Sequence, residues 1–419
     1  MERAQKQRNA RIQAVNKTQP LHILLPDDFC IHINLPASKS ISNRALIINS
    51  LSGGKCTFDN LSDCDDTQTL RHALQTPDEK IDVGVAGTAM RFLTAYLAIQ
   101  NGHRELTGSE RMKKRPVGPL VETLQKLGAD IVYSGQNGFP PLSITGRKLH
   151  GGVLAPEFGE SSQFYSALMM IAPYIDGGLT LHLPDKPTSQ PYIAMTAAMM
   201  RQSGAKIEIC QNCIRIAESR YRPTHFDIEN DWSAASYWYE LAAVAQKGTY
   251  ILHGLRPDSL QGDSKIAALC ETFGVVTQFD GNNATIAYKQ GSRSPVRFDY
   301  DFGSMPDMAQ TFAVLCCARN VPFRFSGLGT LRIKETDRIA ALAAELRKCG
   351  FATATTADSL TWDGTCCHAH TQPHITTYGD HRMVMAFAPL AALQPLTIEA
   401  PEAVSKSYPN FWNEWAKLT

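Results

Sequence analysis

The chain has 419 residues, 43% of them hydrophobic and 19% charged, and a formal net charge of +1. That length exceeds one ordinary core and predicts two domains of roughly 200 residues each. The balanced charge excludes a global bias toward nucleic acid or membrane surfaces and leaves anion binding to local clusters of cations. No apolar run approaches the ~18 residues of a membrane span, and eleven scattered cysteines without a disulfide framework fit a reducing cytoplasm.

Met1 to Gln19 is basic and polar, with Arg3, Lys6, Arg8, Arg11 and Lys17 but no apolar core. It reads as a frayed extension, with a transit peptide as the alternative. From there one unit recurs: an apolar strand, a charged or hydroxyl-rich connector, a helix, a glycine, then a strand pair. Glycines at 128, 204, 274 and 350 close helices in the same way, 76, 70 and 76 residues apart. Hairpin strands such as Leu142-Ser143-Ile144 and Ala284-Thr285-Ile286 after those helices predict α/β packing with mixed sheets rather than a simple Rossmann alternation. No GxGxxG or GxxxxGK[ST] loop is present, which counts against a dinucleotide enzyme or a P-loop NTPase.

The connectors carry the chemistry. In Ser38-Lys39-Ser40-Ile41-Ser42-Asn43-Arg44, leading into a helix expected over 45–51, two cations straddle a hydroxyl-rich helix start, a cradle for phosphate. A serine cap beside a solvated arginine is the plain alternative. Gly84 to Arg91 sets Gly87-Thr88 at a second helix start, where a glycine lets backbone approach an anion closely. Arg111-Met112-Lys113-Lys114-Arg115 holds four cations in five residues, which repel unless solvated or facing an anion. Ser161-Ser162-Gln163 opens an apolar helix expected from Phe164, and Ser189-Gln190-Pro191-Tyr192 opens another segment. Asp307 heads an apolar helix and reads most simply as its N-cap.

Leu331 to Arg338 packs five charges where an apolar strand meets an amphipathic helix carrying Ile339, Leu342, Ala343 and Leu346 on one face. Lys334 and Arg338 there oppose the helix dipole. That suggests an anion to be gripped; an ion-pair lattice on a solvated helix end is the open alternative. Asp380-His381-Arg382-Met383 and Ser405-Lys406-Ser407 complete the set. As metal sites the candidates are weak. Cys210 and Cys213 flank a hairpin turn at Gln211-Asn212, and Cys366-Cys367-His368 with His370 and His374 lacks a second pair at zinc spacing.

Taken together, Ser38–Arg44, Gly87–Arg91, Arg111–Pro116, Ser161–Phe164, Lys334–Arg338 and Asp380–Met383 resemble the 5-enolpyruvylshikimate-3-phosphate (EPSP) synthase family, and they run in that family's order from about residue 22 onward. The resemblance implies an α/β enolpyruvyl transferase fold: two similar domains, each of about three βαβαββ repeats around a pseudo-threefold axis, closing on substrate. The first domain would span 38–228 and the second 1–37 plus 229–419. The implied reaction transfers the enolpyruvyl group of phosphoenolpyruvate to the 5-hydroxyl of shikimate 3-phosphate and releases phosphate through a tetrahedral ketal. By the same resemblance Lys39, Ser40, Arg44, Ser161, Ser162, Gln163, Ser189, Tyr192, Asp307 and Lys334 hold shikimate 3-phosphate. Lys39, Gly87, Arg115, Gln163, Arg338, Arg382 and Lys406 hold phosphoenolpyruvate. Asp307 takes the hydroxyl proton, and Glu335, assisted by Lys39, moves the methylene proton. Asp337 is left to orient Arg338 or Lys334. No metal or cofactor is implied, nor a nucleic-acid or membrane partner; a cytoplasmic monomer is the family expectation.

Three positions depart from the family pattern. Val85 stands where an asparagine is usual, Phe92 where a proline is, and Thr330 where another asparagine is. The segment between Asp66 and Asp82 is short by roughly one hairpin. Rival expectations are a non-catalytic relative binding the same anions, and the sister transferase acting on UDP-N-acetylglucosamine. The sister enzyme would need a reactive cysteine near Arg111 to Arg115, and none is there. The RNA 3′-phosphate cyclase, which shares the repeat unit, lacks its signature in this chain.

Overall fold

Alternation of buried and exposed residues defines the first strand, β1 (Cys30–Asn34), in which Ile33 is buried between exposed neighbours. The computed structural model describes residues 21–156, 162–184 and 189–418. These fall into two compact units: one runs from Ala37 to Ile228, and the other joins the described residues before it to Glu229 onward.

The 37–228 unit contains α1 (Lys39–Leu51), β2 (Thr57–Asp59), α2 (Asp65–Gln75), β3 (Lys80–Asp82), α3 (Gly87–Ala98), β4 (Gly102–Thr107), α4 (Gly118–Lys126), β5 (Asp130–Tyr133), β6 (Leu142–Gly146), β7 (His150–Leu154), α5 (Ser162–Ile171), β8 (Asp176–His182), α6 (Gln190–Gln202), β9 (Ile207–Ile209), β10 (Cys213–Ile216) and β11 (His225–Asp227). Its two four-stranded sheets have the orders β3-β4-β6-β5 and β7-β8-β10-β9. In each the first pair is parallel and the remaining pairs antiparallel, which is one βαβαββ repeat per sheet.

The other unit continues with α7 (Trp232–Ala245), β12 (Thr249–His253), α8 (Ile266–Glu271), β13 (Val275–Asp280), β14 (Asn283–Tyr288), β15 (Phe298–Asp301), α9 (Ala309–Ala318), β16 (Phe323–Ser326), α10 (Arg338–Lys348), β17 (Ala354–Thr355), β18 (Leu360–Trp362), β19 (His374–Ile375), α11 (His381–Phe387), β20 (Thr397–Ile398) and α12 (Phe411–Trp415). It repeats the pattern in the sheets β1-β12-β14-β13 and β15-β16-β18-β17.

Among the described residues a third repeat in each unit is reduced to a two-stranded parallel sheet, β2 with β11 and β19 with β20. The short Asp66–Asp82 segment explains one of them, because α2 runs almost directly into β3 with no hairpin between. The four helix-closing glycines all have positive φ, from 85° to 98°, and each sits just before the hairpin of a complete repeat. After α4 the Ala129 amide donates to Leu124 O (3.0 Å) and that of Gly128 to Gln125 O (2.9 Å), a left-handed cap that glycine adopts without a Cβ penalty.

Two helices begin earlier than their sequence suggests. α1 starts at Lys39 rather than Ala45, because Ile41 and Ser42 pack into the core and override the weak helix preference of the serine run. α5 starts at Ser162 rather than Phe164. Each unit has its own hydrophobic core. No helix among the described residues is long and apolar enough to cross a membrane.

α7 is buried on nearly every face, and Glu240 within it is fully buried with neither carboxylate oxygen hydrogen-bonded among the described residues. Burial pushes its pKa well above the carboxylate range, so it is an uncharged acid in the core. Such a raised pKa contributes stability only below the unfolded-state value and loses it as pH rises through the folded one. Replacing Glu240→Met should therefore stabilise the unit by about 1–3 kcal/mol at neutral pH. In urea titrations the gain should shrink toward pH 4; a loss of stability at pH 7.5 would contradict this account.

Candidate functional site

In the 37–228 unit the connector side chains are placed by helix starts. The first turn of α1 presents Lys39 and Ser40, and Lys39 Nζ donates to Asp66 Oδ2 at 3.0 Å from the start of α2. Ser38 occupies the N-cap position but makes no side-chain cap bond. Arg44, one turn on, points into the protein. Its Nε donates to Thr196 Oγ1 (2.7 Å), Nη2 to Ser166 Oγ (2.9 Å) and Nη1 to Ser40 O (2.8 Å), so its guanidinium is largely spent on protein acceptors. Burial lowers its pKa to about 10, which leaves it a cation at neutral pH. The rings of Phe92 and Tyr192 lie 5.4 and 5.7 Å from that guanidinium carbon. Phe92, a departure from the family pattern, thus supplies a cation–π face to a buried arginine.

Gly87 opens α3 against Arg115. A Cβ at Gly87 would stand 2.6 Å from Arg115 Nη1, so the guanidinium occupies the space that a side chain would need. Arg91 ties this corner together, donating to Gly87 O (3.2 Å) and Pro116 O (2.9 Å). Gln163 Nε2 reaches Thr88 Oγ1 at 3.3 Å and brings the start of α5 to the start of α3. Gly87, Arg115 and Gln163 therefore share one neighbourhood. Ser162 is the first residue of α5 and is buried, while Ser161 lies outside the described residues. Ser189 precedes α6 at φ 56°, a left-handed conformation that strains a non-glycine residue, with Tyr192 in the following turn.

The other unit concentrates charge. Arg338, 1% exposed, donates from Nη1 to Asp307 Oδ1 (2.7 Å) and from Nη2 to Glu335 Oε2 (3.0 Å). It also grips Asp380 in a two-pronged pair, Nε to Oδ2 at 2.6 Å and Nη2 to Oδ1 at 3.1 Å. Arg382 Nη2 reaches Asp307 Oδ2 at 3.2 Å, and Lys334 Nζ lies 3.7 Å from Asp307 Oδ1. Lys406 Nζ pairs with Glu335 Oε1 at 3.0 Å. Burial alone would raise the Asp307 pKa, but Arg382, Lys334 and Arg338 outweigh it and hold the carboxyl well below its usual range. Burial also opposes the charge on Arg338, yet Asp380, Glu335 and Asp307 together strengthen it.

These contacts correct two expectations. Asp307 does not cap α9: it sits in a 3-10 turn, Met308 holds the cap position, and its carboxylate serves the cations instead. Leu331 to Arg338 does connect a strand, β16, to the amphipathic helix α10, as its sequence suggests, by way of a 3-10 turn over Gly329–Ile333. Asp337 orients neither Arg338 nor Lys334. Its Oδ1 accepts from the Ala340 amide as the N-cap of α10, and its Oδ2 accepts from Arg332 (2.6 Å), while Asp380 holds Arg338. Of the departures, Val85 is half exposed and Thr330 is buried with its hydroxyl unpartnered among the described residues.

Sequence reasoning missed the acids that orient the cations. Asp66 follows another acid in the first turn of a helix, and Asp380 caps α11 by accepting from the Arg382 amide (2.9 Å); an acid at a helix start was the available signal for both. Asp263 carried no signal. It is buried, accepts a hydrogen bond from Ser233 Oγ, and Ser233 in turn receives Arg382 Nη2 at 3.4 Å. Among the described residues no three His, Cys, Asp or Glu side chains converge as a metal site, and Cys210 and Cys213 flank the turn between β9 and β10.

Comparison with known proteins bears on this geometry. The family model for EPSP synthase (3-phosphoshikimate 1-carboxyvinyltransferase) matches residues 28–76 and 70–415. The chain belongs to the EPSP synthase family. It is 47% identical over 395 residues to the 3-phosphoshikimate 1-carboxyvinyltransferase of Bacteroides fragilis (strain YCH46), covering 94% of this chain and 96% of that one. With the enzyme of that name from Vibrio cholerae serotype O1 (strain M66-2) it shares 36% over 419 residues, 92% and 96% covered. An EPSP synthase structure from Acinetobacter baumannii superposes with a TM-score of 0.74 at 22% identity, covering 96% of this chain and 98% of that one. The enolpyruvyl transferase NikO from Streptomyces tendae gives 0.70 at 17%, covering 96% and 97%. These structures share the enolpyruvyl transferase fold of this EPSP synthase family member.

Burial raises the Asp263 pKa from 3.8 to about 6 despite Arg382 nearby. A raised acid stabilises below its unfolded pKa and loses that contribution as pH climbs through the folded one. Relative to the wild type, Asp263→Asn should therefore gain about 2 kcal/mol of unfolding free energy between pH 4.5 and 7.5. Urea unfolding at both pH values measures it; an equal difference at the two would refute the assignment.

Proposed function

We propose that this chain transfers the enolpyruvyl group of phosphoenolpyruvate to the 5-hydroxyl of shikimate 3-phosphate, releasing phosphate, in aromatic amino acid biosynthesis. The observation that carries the mechanism is the cluster of Lys334, Arg338, Arg382 and Lys406 interleaved with the carboxylates of Asp307, Glu335 and Asp380. Two substrates that each bear a phosphate and a carboxylate need such cations to come together. Arg338, Arg382 and Lys406 are assigned to phosphoenolpyruvate, and Lys334 with Asp307 to the phosphorylated shikimate. In the 37–228 unit, Lys39, Gly87, Arg115 and Gln163 are assigned to the donor. Lys39, Ser40, Ser161, Ser162, Gln163, Ser189 and Tyr192 are assigned to the acceptor. Arg44 is assigned to the acceptor too, and its bonds to Ser40 O and Tyr192 O favour a role beneath those two residues.

Asp307 accepts the proton of the attacking 5-hydroxyl as its oxygen bonds to C2 of phosphoenolpyruvate. Glu335, assisted by Lys39, delivers a proton to C3, giving a ketal with a methyl group. In elimination the C2–O bond to phosphate breaks, Glu335 retrieves a methyl proton, and the C2–C3 double bond returns. Without substrate, Asp307 and Glu335 are the counter-ions of the cations. An arriving phosphate and carboxylate compete for the same N–H donors, which raises the proton affinity of both carboxylates, so that Asp307 can act as base while Glu335 takes up from solvent the proton it delivers to C3. The even charge balance and reduced-cysteine pattern support a cytoplasmic enzyme of small molecules with no nucleic-acid or membrane partner; a monomer rests on the resemblance alone.

Mixing the chain with both substrates should release phosphate, and tight binding of both without release would instead mark a non-catalytic relative. Asp307→Asn and Glu335→Gln should each lower kcat by roughly 10²–10⁴-fold, and near wild-type turnover in either would remove that residue from its role. Gly87→Ala should displace Arg115 and raise the KM for phosphoenolpyruvate by roughly tenfold, with the KM for shikimate 3-phosphate little changed. An unchanged donor KM would show that Arg115 does not hold the donor.

A further inference from the structure

α10 carries Arg338 in its first turn and Glu345 seven residues later, two turns along the same face. Glu345 is fully buried, and its carboxylate is filled from one loop and one helix neighbour. Oε2 accepts from Lys348 Nζ (2.7 Å) and the Thr376 amide (2.9 Å), and Oε1 accepts from the Tyr378 hydroxyl (2.9 Å). Lys348 Nζ also donates to His374 O at 3.0 Å. One buried acid on α10 thus takes hold of the loop that leads from β19 into α11.

That loop is strained. Tyr378 has φ 55° and Gly379 φ 67°, and the Asp380 amide donates to Thr377 O at 2.9 Å, closing a four-residue turn with two left-handed central residues. Glycine takes this conformation freely, but a tyrosine does not and needs an outside contact to stay there. The hydroxyl on Glu345 is that contact. The next residue is Asp380, which grips Arg338 and caps α11 through the Arg382 amide.

We propose that Glu345 and Tyr378 are positioning residues that lock this turn and so set Arg338 and Arg382 at the spacing needed to hold phosphoenolpyruvate. The inference rests on the assignment of those two arginines to the donor. The contacts form a closed loop: Arg338 to Asp380, through the turn to Tyr378, on to Glu345, and back along α10. Loosening the turn lets Asp380 shift, and with it both the guanidinium it orients and the helix start it caps. Ser162, Ser189 and the other acceptor residues of the 37–228 unit take no part in the loop.

Steady-state phosphate release by the full chain tests this with Tyr378→Phe, which removes one hydroxyl, and Glu345→Gln, which removes the charge that pairs with Lys348. Each variant should raise the KM for phosphoenolpyruvate by roughly five- to twentyfold while kcat and the KM for shikimate 3-phosphate stay within about threefold. A merely structural role would lower the melting temperature or the active fraction without separating the two KM values. Should Glu345→Gln fail to fold, Tyr378→Phe decides alone. Wild-type release with an unmoved donor KM in Tyr378→Phe would overturn this inference only. Absence of wild-type release would overturn the transferase reading and, with it, the inference.

Discussion

A guanidinium taken out of water is tolerated only when its counter-charges come with it, and Arg338 brings three: Asp307, Glu335 and Asp380. Much of the surrounding architecture is arranged to hold those carboxylates. Asp380 is fixed by its place before α11, Glu335 by the 3-10 turn that hands the chain to α10, and Asp307 by the turn before α9. Removing one partner from a buried pair typically costs about 3–5 kcal/mol, because the other charge is stranded. The same pairing leaves none of these cations bare, since Lys334, Arg338, Arg382 and Lys406 each have a carboxylate in place.

The 37–228 unit meets its cations differently. Arg115 is seated against a glycine, Arg44 over two aromatic rings, and Lys39 against Asp66. The two arginines depend on neighbours that carry no charge of their own, such as Gly87, Phe92 and Thr196. Phe92 shows how a departure from a family pattern is absorbed, since its ring supports the buried Arg44 where a proline could not. The strained Ser189, like Tyr378 in the other unit, is a backbone outlier retained beside residues assigned to substrate, where strain of about 1–3 kcal/mol is commonly kept.

The repeat organises both units, and its incompleteness is informative. Four complete βαβαββ units end their second helix on a left-handed glycine that turns the chain into a hairpin, and two shortened ones show no hairpin among the described residues. In the 37–228 unit the shortening falls between Asp66 and Lys80, so the loss is taken after the residue that holds Lys39.

The chain's own order of residues determined the α/β class, the repeat, the capping glycines and the motif residues, because those depend on local periodicity and on which side chains can adopt a given φ. It also made the cations of the Lys334–Arg338 stretch visible, since they run against the helix dipole. Tertiary structure alone decided which acid serves which cation. Asp337, adjacent in sequence, caps its helix and binds Arg332, whereas Asp380, forty-two residues away, orients Arg338. Asp263 behind Arg382, and Glu345 beneath the Tyr378 turn, were likewise invisible, because a carboxylate's partner is set by which elements pack together and not by its neighbours along the chain.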